Sequence, residues 1–307
     1  MAEVMRKKYN PHRLSKHWNV LLNVILGSFT FTCVFPVIFV VIISFTDEQT
    51  LALNGYSIFP EKWSLAAYRF IWKAGEQLVQ SYWVTIQVTV IGTMVSVVIM
   101  GLYAYAIFRK EFRYRKFFTF LIFFTMLFNG GLIPTYMVCT QLLRLRNTLW
   151  GLILPSSINA FYIFVLRSFY RSSIPESLID AAKIDGAGEF RTFFQIVFPI
   201  AIPGLATIGL FCTLQYWNDW FNALLYIDVA SLTPLQTMLH RIETRMEFIV
   251  QNSGRLGSGQ VQVVLKDIPR DAARMALVTL ATVPLAFAYP FFQRYFVQGL
   301  TIGAVKE

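Results

Sequence analysis

The stretch that decides the fold is SYWVTIQVTVIGTMVSVVIMGLYAYAIF, residues 81–108, which contains no charged side chain. About 20 apolar residues in a helix are enough to cross the hydrocarbon core of a bilayer. The stretch is long enough for this, and it lacks the strict alternation of apolar and polar residues that marks the strands of a membrane barrel. It therefore predicts a helix that spans a membrane.

Five further charge-free runs extend this interpretation to the whole chain. Of the 307 residues, 56% are hydrophobic and 14% are charged, and the mean hydropathy is +0.53, which lies outside the usual range of soluble domains. The prediction is an all-α integral membrane protein with six transmembrane helices, in which the prolines inside the runs kink the helices without ending them. The further runs are residues 18–45, 117–143, 147–166, 192–218 and 275–293.

The basic residues of the chain indicate neither a cleaved signal peptide nor a nucleic-acid-binding domain. The first run follows basic residues, as the core of a signal peptide does, but it is longer than such a core and lacks a small-residue cleavage pattern, which favours a retained anchor. The net charge of +10 is spread between apolar runs and forms no basic domain interleaved with aromatic residues. We therefore expect contact with anionic membrane lipid and no nucleic-acid partner.

Basic residues in short loops indicate which side of the membrane each segment occupies. Clusters of Lys and Arg precede the first run and separate the second from the third, so both segments are predicted to be cytoplasmic, whereas Arg144 and Arg146 fit the rule poorly. The predicted organisation is a cytoplasmic N-terminal segment at 1–17, a first span at 18–45, an external segment at 46–80, a core of five spans at 81–300 and a cytoplasmic tail at 301–307. Within the core we predict a cytoplasmic loop at 172–199 and an external loop at 228–270.

The cytoplasmic loop, SSIPESLIDAAKIDGAGEFRTFFQIVFP, carries its own helix signals. Ser173 and Glu176 have the spacing of a capping box, and Pro175 between them is tolerated in a first turn. The helix that follows is predicted to present one small and apolar face to another protein, and Asp185-Gly186 predicts a turn before a second helical segment from Ala187. An interfacial amphipathic linker would carry similar signals. The predicted face consists of Leu178, Ala181, Ala182 and Ile184.

This loop resembles the EAA loop of ABC importer permeases, whose pattern is Glu-Ala-Ala, three residues, Gly, nine residues, Ile, one residue and Leu-Pro. The chain has residues 180–182 (Asp-Ala-Ala), Gly186, Ile196 and residues 198–199 (Phe-Pro) at this spacing, with Asp in place of Glu and Phe in place of Leu. The resemblance implies a type I importer permease whose loop forms a coupling helix on an ATP-hydrolysing subunit. The candidate ATPase-coupling residues are Glu176, Asp180, Ala181, Ala182, Asp185, Gly186 and Ala187.

Three further stretches narrow the resemblance to carbohydrate permeases. Residues 215–220 (QYWNDW) and 299–306 (GLTIGAVK) are similar to the MalG-like side of such pairs, and residues 129–136 (NGGLIPTY) are similar to an LplC-type branch linked to complex oligosaccharides. The resemblance implies a bacterial cytoplasmic membrane protein that works with a second permease chain, an ATPase dimer that binds ATP and Mg, and an extracytoplasmic substrate-binding protein. This chain itself is expected to bind no cofactor.

Polar and aromatic residues near the ends of two predicted spans suit a hydroxyl-rich ligand. The candidates for a substrate path are Asn129, Gln215, Trp217, Asn218 and Asp219, although interfacial anchoring or bonds between helices would explain several of them. In MalG-like relatives the outer loop between the last two spans reaches into the binding protein. This implies a contact at Asn252, Ser253, Gly254 and Arg255.

Other function classes lack the residues they need. A secondary transporter usually places ionisable groups deep in its spans, and these runs have none. His12, His17 and His240 do not have metal-ligand spacing, so no metal site is expected. The chain has no Gly-rich phosphate loop that ends in Gly-Lys-Ser or Gly-Lys-Thr, so ATP hydrolysis is expected in another chain. An assembly scaffold without transport activity stays open at this point, as does a permease for another polar solute.

Overall fold

The structure is a computed structural model that describes residues 16–73, 75–251 and 269–304. The chain forms two compact units, residues 1–68 with 268–279 and residues 69–267 with 280–307. In the described part the regular elements are helical, and extended pairing is limited to an isolated bridge between Thr46 and Trp63, so the predicted all-α class is confirmed. The helices are α1 (Lys16–Ser44), α2 (Glu48–Asn54), α3 (Ala66–Trp72), α4 (Gly75–Phe108), α5 (Arg115–Leu127), α6 (Leu132–Met137), α7 (Leu149–Ile153), α8 (Ala160–Ser173), α9 (Glu176–Ile184), α10 (Glu189–Thr192), α11 (Phe198–Trp217), α12 (Phe221–Tyr226), α13 (Leu235–Gln251) and α14 (Arg270–Ala304).

Three helices are long and apolar enough to cross a membrane. They are His17–Ser44, Gly75–Phe108 and Glu189–Trp217, which contain all of the predicted span 81–108 and most of the predicted spans 18–45 and 192–218. Two bent pairs raise the total to five if each pair is one crossing. The last predicted run, 275–293, lies inside α14, which is not among these helices. Within the described residues, therefore, three to five segments are long and apolar enough to cross a membrane, and the sixth span stays a prediction.

The predicted spans 117–143 and 147–166 are each interrupted by a sharp bend, so neither of them is one continuous helix. Arg115–Leu127 and Leu132–Leu142 meet at 117°, across an Asn-Gly-Gly sequence in which Gly131 adopts a φ of 88° that L residues rarely reach. Leu149–Ser156 and Ala160–Ser173 meet at 58°. Here the side chain of Asn159 accepts hydrogen bonds from the N–H groups of Phe161 and Tyr162 and so begins a new helix.

The prolines explain part of this difference. Pro134 is the third residue of α6, and Pro155 is the second residue of the 3₁₀ turn Leu154–Ser156. In the first turn of a helix the missing N–H of proline costs little stability, because that group would have no partner in the helix. These two prolines therefore mark the starts of helical segments instead of kinks. The helices continue through Pro36 in α1, Pro203 in α11 and the two prolines of α14, as predicted.

In the first unit, a few polar contacts join short elements. The carboxylate of Glu48 accepts hydrogen bonds of 3.1 Å from the N–H groups of both Asp271 and Ala272, and so caps the start of α14. Ser44 bonds the Tyr68 hydroxyl at 2.8 Å. In contrast, the most apolar part of α1 has no buried residue, which suits a helix whose side chains contact lipid.

The core of the second unit is the packing of α4 against α11 and α8. Its fully buried side chains include Ala104, Ile107 and Leu166. At Gly92 a side-chain carbon would lie 2.7 Å from the ring of Tyr216, so only glycine permits this approach of α4 to α11. The Tyr216 hydroxyl bonds Ser96 at 2.9 Å and donates to the carbonyl of Ile153 at 2.9 Å. Small residues and buried hydrogen bonds of this kind are what holds helices together where lipid replaces water.

Candidate functional site

Helix α9 has two different faces. Ile179 and Ala182 are buried against the rest of the second unit, together with Ile174 just before the helix. On the outer side, Ile184 is 87% exposed and Leu178 is 41% exposed, and Ala181 and Asp180 are also exposed. The helix is therefore anchored by one side and presents a small apolar surface on the other.

The turn after α9 agrees with the prediction from Asp185-Gly186. Gly186 has a φ of 73°, its N–H donates to the carbonyl of Lys183 at 3.0 Å, and the N–H of Ala187 donates to the carbonyl of Ala182 at 2.9 Å. A glycine in this position closes a helix at little cost, since it has no Cβ to clash. The second helical segment begins at Glu189, two residues later than the predicted start at Ala187. A π-helical stretch, Phe193–Val197, joins α10 to α11, so the segment Glu189–Trp217 is one long helix.

The predicted capping box at Ser173 and Glu176 is wrong. Ser173 is the last residue of α8, and the N-cap position of α9 is Pro175, which offers no side-chain cap. The carboxylate of Glu176 binds Lys110 instead of a backbone N–H. The helix still begins at Glu176, between the buried side chains of Ile174 and Ile179.

The expectation that both alanines face a partner needs a correction for one of them. Ala182 is only 5% exposed, so it packs within the chain, while Ala181 lies on the outer side. Adjacent helix positions are about 100° apart around the axis, so two neighbouring alanines seldom serve the same surface. The remaining predicted coupling residues, Asp185, Gly186 and Ala187, follow at the turn, where Ala187 is half-buried.

An ion-pair cluster, formed by Arg109, Lys110, Glu111, Glu176, Lys183 and Glu189, holds the loop to the end of α4. Lys110 pairs with Glu176, Lys183 with Glu111 at 2.6 Å, and Arg109 with Glu189 at 3.0 Å. Glu189 also accepts a hydrogen bond of 2.5 Å from the Tyr105 hydroxyl. Three consecutive residues after α4 thus contact the start of α9, the end of α9 and the start of α10.

Burial differs within the ion-pair cluster. The Arg109 side chain is 8% exposed, and this burial by itself lowers the pKa of its guanidinium. The hydrogen bond to Glu189 and the negative charge of Glu189 have the opposite and larger effect, so the pKa of Arg109 is raised. The hydrogen bond from Lys183 lowers the pKa of Glu111, so this carboxylate stays charged at neutral pH. Because the partners of Arg109 are half-exposed, each pair is expected to contribute little, about 1 kcal/mol or less.

Four of the predicted substrate-path residues lie together at the end of α11. Gln215 and Asn218 are exposed. In contrast, Trp217 is buried and donates its indole N–H to the carbonyl of Ala281 at 2.9 Å. The carboxylate of Asp219 accepts two hydrogen bonds from Asn222, which in turn donates to Ser156. Gln215 and Asn218 are therefore accessible to a ligand, and the Asn218 amide also donates a hydrogen bond of 2.9 Å to the carbonyl of Leu214. Trp217 and Asp219 hold the local structure.

Asn129 has a local role in the break between α5 and α6. Its side-chain oxygen accepts a hydrogen bond of 2.9 Å from the N–H of Gly131. The predicted contacts for a binding protein lie outside the described residues, as do residues 305–307 of the tail; these contacts are Asn252, Ser253, Gly254 and Arg255. Their roles stay predictions.

Comparison with known proteins decides the family. Residues 97–302 match the family described as "Binding-protein-dependent transport system inner membrane component". The chain belongs to this family. Its matched region runs from the middle of α4 to near the end of α14, and so includes α9, the end of α11 and all of the ion-pair cluster.

Individual relatives within this transport family match nearly the whole chain. The "Polygalacturonan/rhamnogalacturonan transport system permease protein YtcP" of Bacillus subtilis is 37% identical over 94% of this chain and 98% of its own length. "Protein LplC" of the same organism is 34% identical over 92% of each chain, which confirms the LplC-type resemblance. A solved bacterial ABC transporter "involved in the import of the acidic polysaccharide alginate" has a chain that matches with a TM-score of 0.75, at 27% identity, over 92% of this chain and 99% of that one.

Family membership settles the class of protein. The chain is an inner-membrane component of a transport system, so a permease subunit accounts for the chain better than a secondary transporter or an enzyme.

Sequence reasoning does not predict the ion-pair cluster. The topology rule treats Arg109 and Lys110 only as cytoplasmic charge, and it gives no role to Glu111, Lys183 or Glu189. The mixed signs of the Arg-Lys-Glu sequence at 109–111 are the available signal, since a run that only sets topology needs no acidic residue.

Arg146 also has a partner that the sequence does not indicate. Its guanidinium pairs with Asp228 at 2.8 Å, and the hydrogen bond from Arg146 lowers the pKa of Asp228. The side-chain oxygen of Asn147 accepts a further hydrogen bond of 2.7 Å from the N–H of Asp228. A basic residue held in this way serves local structure, which accounts for its poor fit to the topology rule.

Proposed function

We propose that this chain is one permease subunit of an ATP-driven importer of sugars, and that its substrates are oligosaccharides. It works with a second, different permease chain, an ATPase dimer and an extracytoplasmic substrate-binding protein. The support is family membership, together with the names of relatives for polygalacturonan or rhamnogalacturonan and for alginate. The alternative of another polar solute has no comparable support among these relatives.

The observation that carries the coupling role is the two-faced α9. Leu178, Ala181 and Ile184 form an exposed surface. We expect this surface to dock into a groove on an ATPase subunit. Exposed apolar residues grouped on a polar surface mark an interaction site in many proteins. The small side chain of Ala181 lets the partner approach the helix backbone closely. In this proposal α9 lies on the cytoplasmic side, with the N- and C-termini.

Movement of α9 would reach two long helices at once. Through Gly186 and α10 it is continuous with α11, and through the ion-pair cluster it is joined to the end of α4. These two helices form the main packing of the second unit. A displacement caused by closure of the ATPase dimer would therefore shift α4 and α11 together. ATP and Mg bind to the ATPase subunits, and this chain supplies the mechanical connection.

The sugar path is proposed at the end of α11 and the binding-protein contact in the segment 252–255. Exposed Gln215 and Asn218 are the proposed contacts for sugar hydroxyls, with Trp217 and Asp219 as positioning residues beside them. Exposed Asn129 is a further proposed residue of this path, and its side-chain oxygen accepts a hydrogen bond at the break between α5 and α6. The contact of residues 252–255 with the binding protein is proposed from the family resemblance alone.

The test of the coupling role compares Ala181→Glu with wild type. The tagged chain is purified with its co-expressed partners in mild detergent, and the amount of co-purifying ATPase and the sugar-stimulated rate of ATP hydrolysis are measured, with neutral and acidic oligosaccharides as substrates. We expect a loss of at least about tenfold in either quantity, because a hot-spot contact contributes about 2 kcal/mol.

The matched control is Ser172→Glu, which introduces the same charge at an exposed position at the end of α8. It should retain ATPase association and stimulation. Equal behaviour of Ala181→Glu and wild type, with the variant correctly folded, would contradict the coupling role. Stimulation without response to any oligosaccharide would leave coupling intact and reject sugars as the substrate class.

A further inference from the structure

A second basic region lies beside the ion-pair cluster, in a pocket of about 840 Å³. It is lined by the 110–116 segment, the first turns of α5 and the outer part of α8. Four phenylalanines and one threonine make up the rest of its wall, and no acidic side chain is among its lining residues within the described chain. The cations are Lys110, Arg113, Arg115, Lys116 and Arg167.

Most of this positive charge has no counter-charge. Lys110 pairs with Glu176, but in the part of the chain that the structure describes Arg113, Arg115, Lys116 and Arg167 have no ion pair. Arg115 and Arg167 are half-buried and close enough for their charges to repel. Like charges held together in a partly dry pocket destabilise the protein unless an anion binds there.

The pocket lies where an apolar helix begins. Two of its cations, Arg115 and Lys116, are the first residues of α5, while Phe117 and Phe120 further along that helix are exposed. With the segment that follows it, α5 is apolar enough to cross a membrane. Exposed aromatic residues near the end of such a helix suit the membrane interface, so we place the pocket at the level of the lipid headgroups. A headgroup in the pocket would leave its acyl chains beside these phenylalanines.

We propose that this pocket binds the phosphoryl headgroup of an anionic phospholipid. Arginine side chains match the geometry of phosphate oxygens, and basic pockets at helix ends are suited to such headgroups. Rules of membrane topology explain why basic residues occur in the 110–116 segment, but topology does not require Arg167 to converge on them from α8. Lys110 joins the site to α9, since it lines the pocket and pairs with Glu176.

The experiment measures lipid preference of the full chain, purified with its partners and equilibrated with equal amounts of phosphatidylglycerol and phosphatidylcholine. Native mass spectrometry gives the ratio of the two lipids that remain bound. We expect the wild-type protein to prefer phosphatidylglycerol. The double variant Arg115→Gln with Arg167→Gln should lower the ratio of phosphatidylglycerol to phosphatidylcholine at least about fivefold, since the loss of even one cation near an anionic lipid has an effect of this size.

Two control variants separate charge from folding. Arg115→Lys with Arg167→Lys keeps the charge and should retain most of the preference. Arg191→Gln removes an exposed cation of α10 outside the pocket and should leave the ratio unchanged. If the wild-type protein has no preference, or if the double Gln variant keeps the wild-type ratio, the proposal is wrong.

A separate arm distinguishes lipid from soluble phosphate. Labelled inorganic phosphate is offered to the protein in phosphatidylcholine alone. Saturable phosphate binding that Arg115→Gln with Arg167→Gln abolishes, without any preference for phosphatidylglycerol, would overturn the lipid source. Loss of a co-purifying subunit in that variant, with an unchanged lipid ratio, would likewise overturn it and assign the pocket to an acidic segment of a partner protein.

Discussion

Two contacts of the second unit are built in opposite ways. The packed crossing of α4 and α11, formed by Gly92, Ser96 and Tyr216, is buried and held by close approach and by hydrogen bonds of a single hydroxyl. The ion-pair cluster between α9 and the end of α4 is largely exposed and held by flexible charged side chains. The packed crossing suits two helices that move together as one rigid body. The ion-pair cluster suits a contact whose side chains can rearrange when α9 moves.

The largest loss of stability is expected from a substitution that disrupts the packed crossing. Gly92→Leu places a side chain where even a Cβ lies 2.7 Å from Tyr216, so the two long helices must separate. We expect a loss of about 3 kcal/mol, the upper part of the range for overpacking, measured as the yield of folded protein and its thermal midpoint in detergent. Gly27→Leu on α1 is the control, because nothing lies within 4 Å of its Cβ position. Similar loss in both variants would contradict this account.

The next effect tests the anchored side of α9. Ala182→Glu places a carboxylate in a position that is 5% exposed, and we expect about 2 kcal/mol of local destabilisation, with detachment of α9 from the second unit. Limited proteolysis of residues 176–184 measures it. Ala181→Glu, one residue away on the outer side, should leave cleavage at the wild-type rate. If the two variants are cleaved alike, the assignment of the two faces is wrong.

A smaller effect is expected from one hydroxyl of the packed crossing. Tyr216→Phe keeps the ring against Gly92 but leaves Ser96 and the carbonyl of Ile153 without their partner. The expected loss is about 1 kcal/mol, as for other buried hydrogen bonds between membrane helices, and thermal unfolding measures it. Ser96→Ala should cost less when Tyr216 is already Phe than in the wild type. Additive losses would show that the two side chains do not interact.

The smallest effect concerns the ion-pair cluster. Lys183→Gln removes the partner of Glu111, with an expected cost of about 0.5 kcal/mol, since both side chains are at least 40% exposed. Thermal unfolding at low and high salt checks it, and the difference from wild type should shrink as salt screens the pair. A large and salt-independent loss would mean that the contact is as rigid as the packed crossing.

Much of the fold followed from the sequence, but the helix breaks did not. Charge-free runs predicted 81–108 and most of 192–218 as spans because hydrophobicity is a property of each residue and adds along the chain. The bends of 117° and 58° depend on Gly131 and on the cap formed by Asn159. Proline and asparagine in an apolar run are compatible with a kink or a break, and only the packing around them selects one.

The candidate site divides in the same way. The sequence by itself determined the membrane class and the spacing from Asp180 through Gly186 to Pro199 that marks the loop, because these are patterns of consecutive residues. The tertiary structure decided that Ala181 faces outward and Ala182 inward, and that Glu111 meets Lys183 and Arg109 meets Glu189. The physical reason is that burial and ion pairing are set by whichever element packs alongside, and residues more than 70 positions apart leave no local pattern that names their partner.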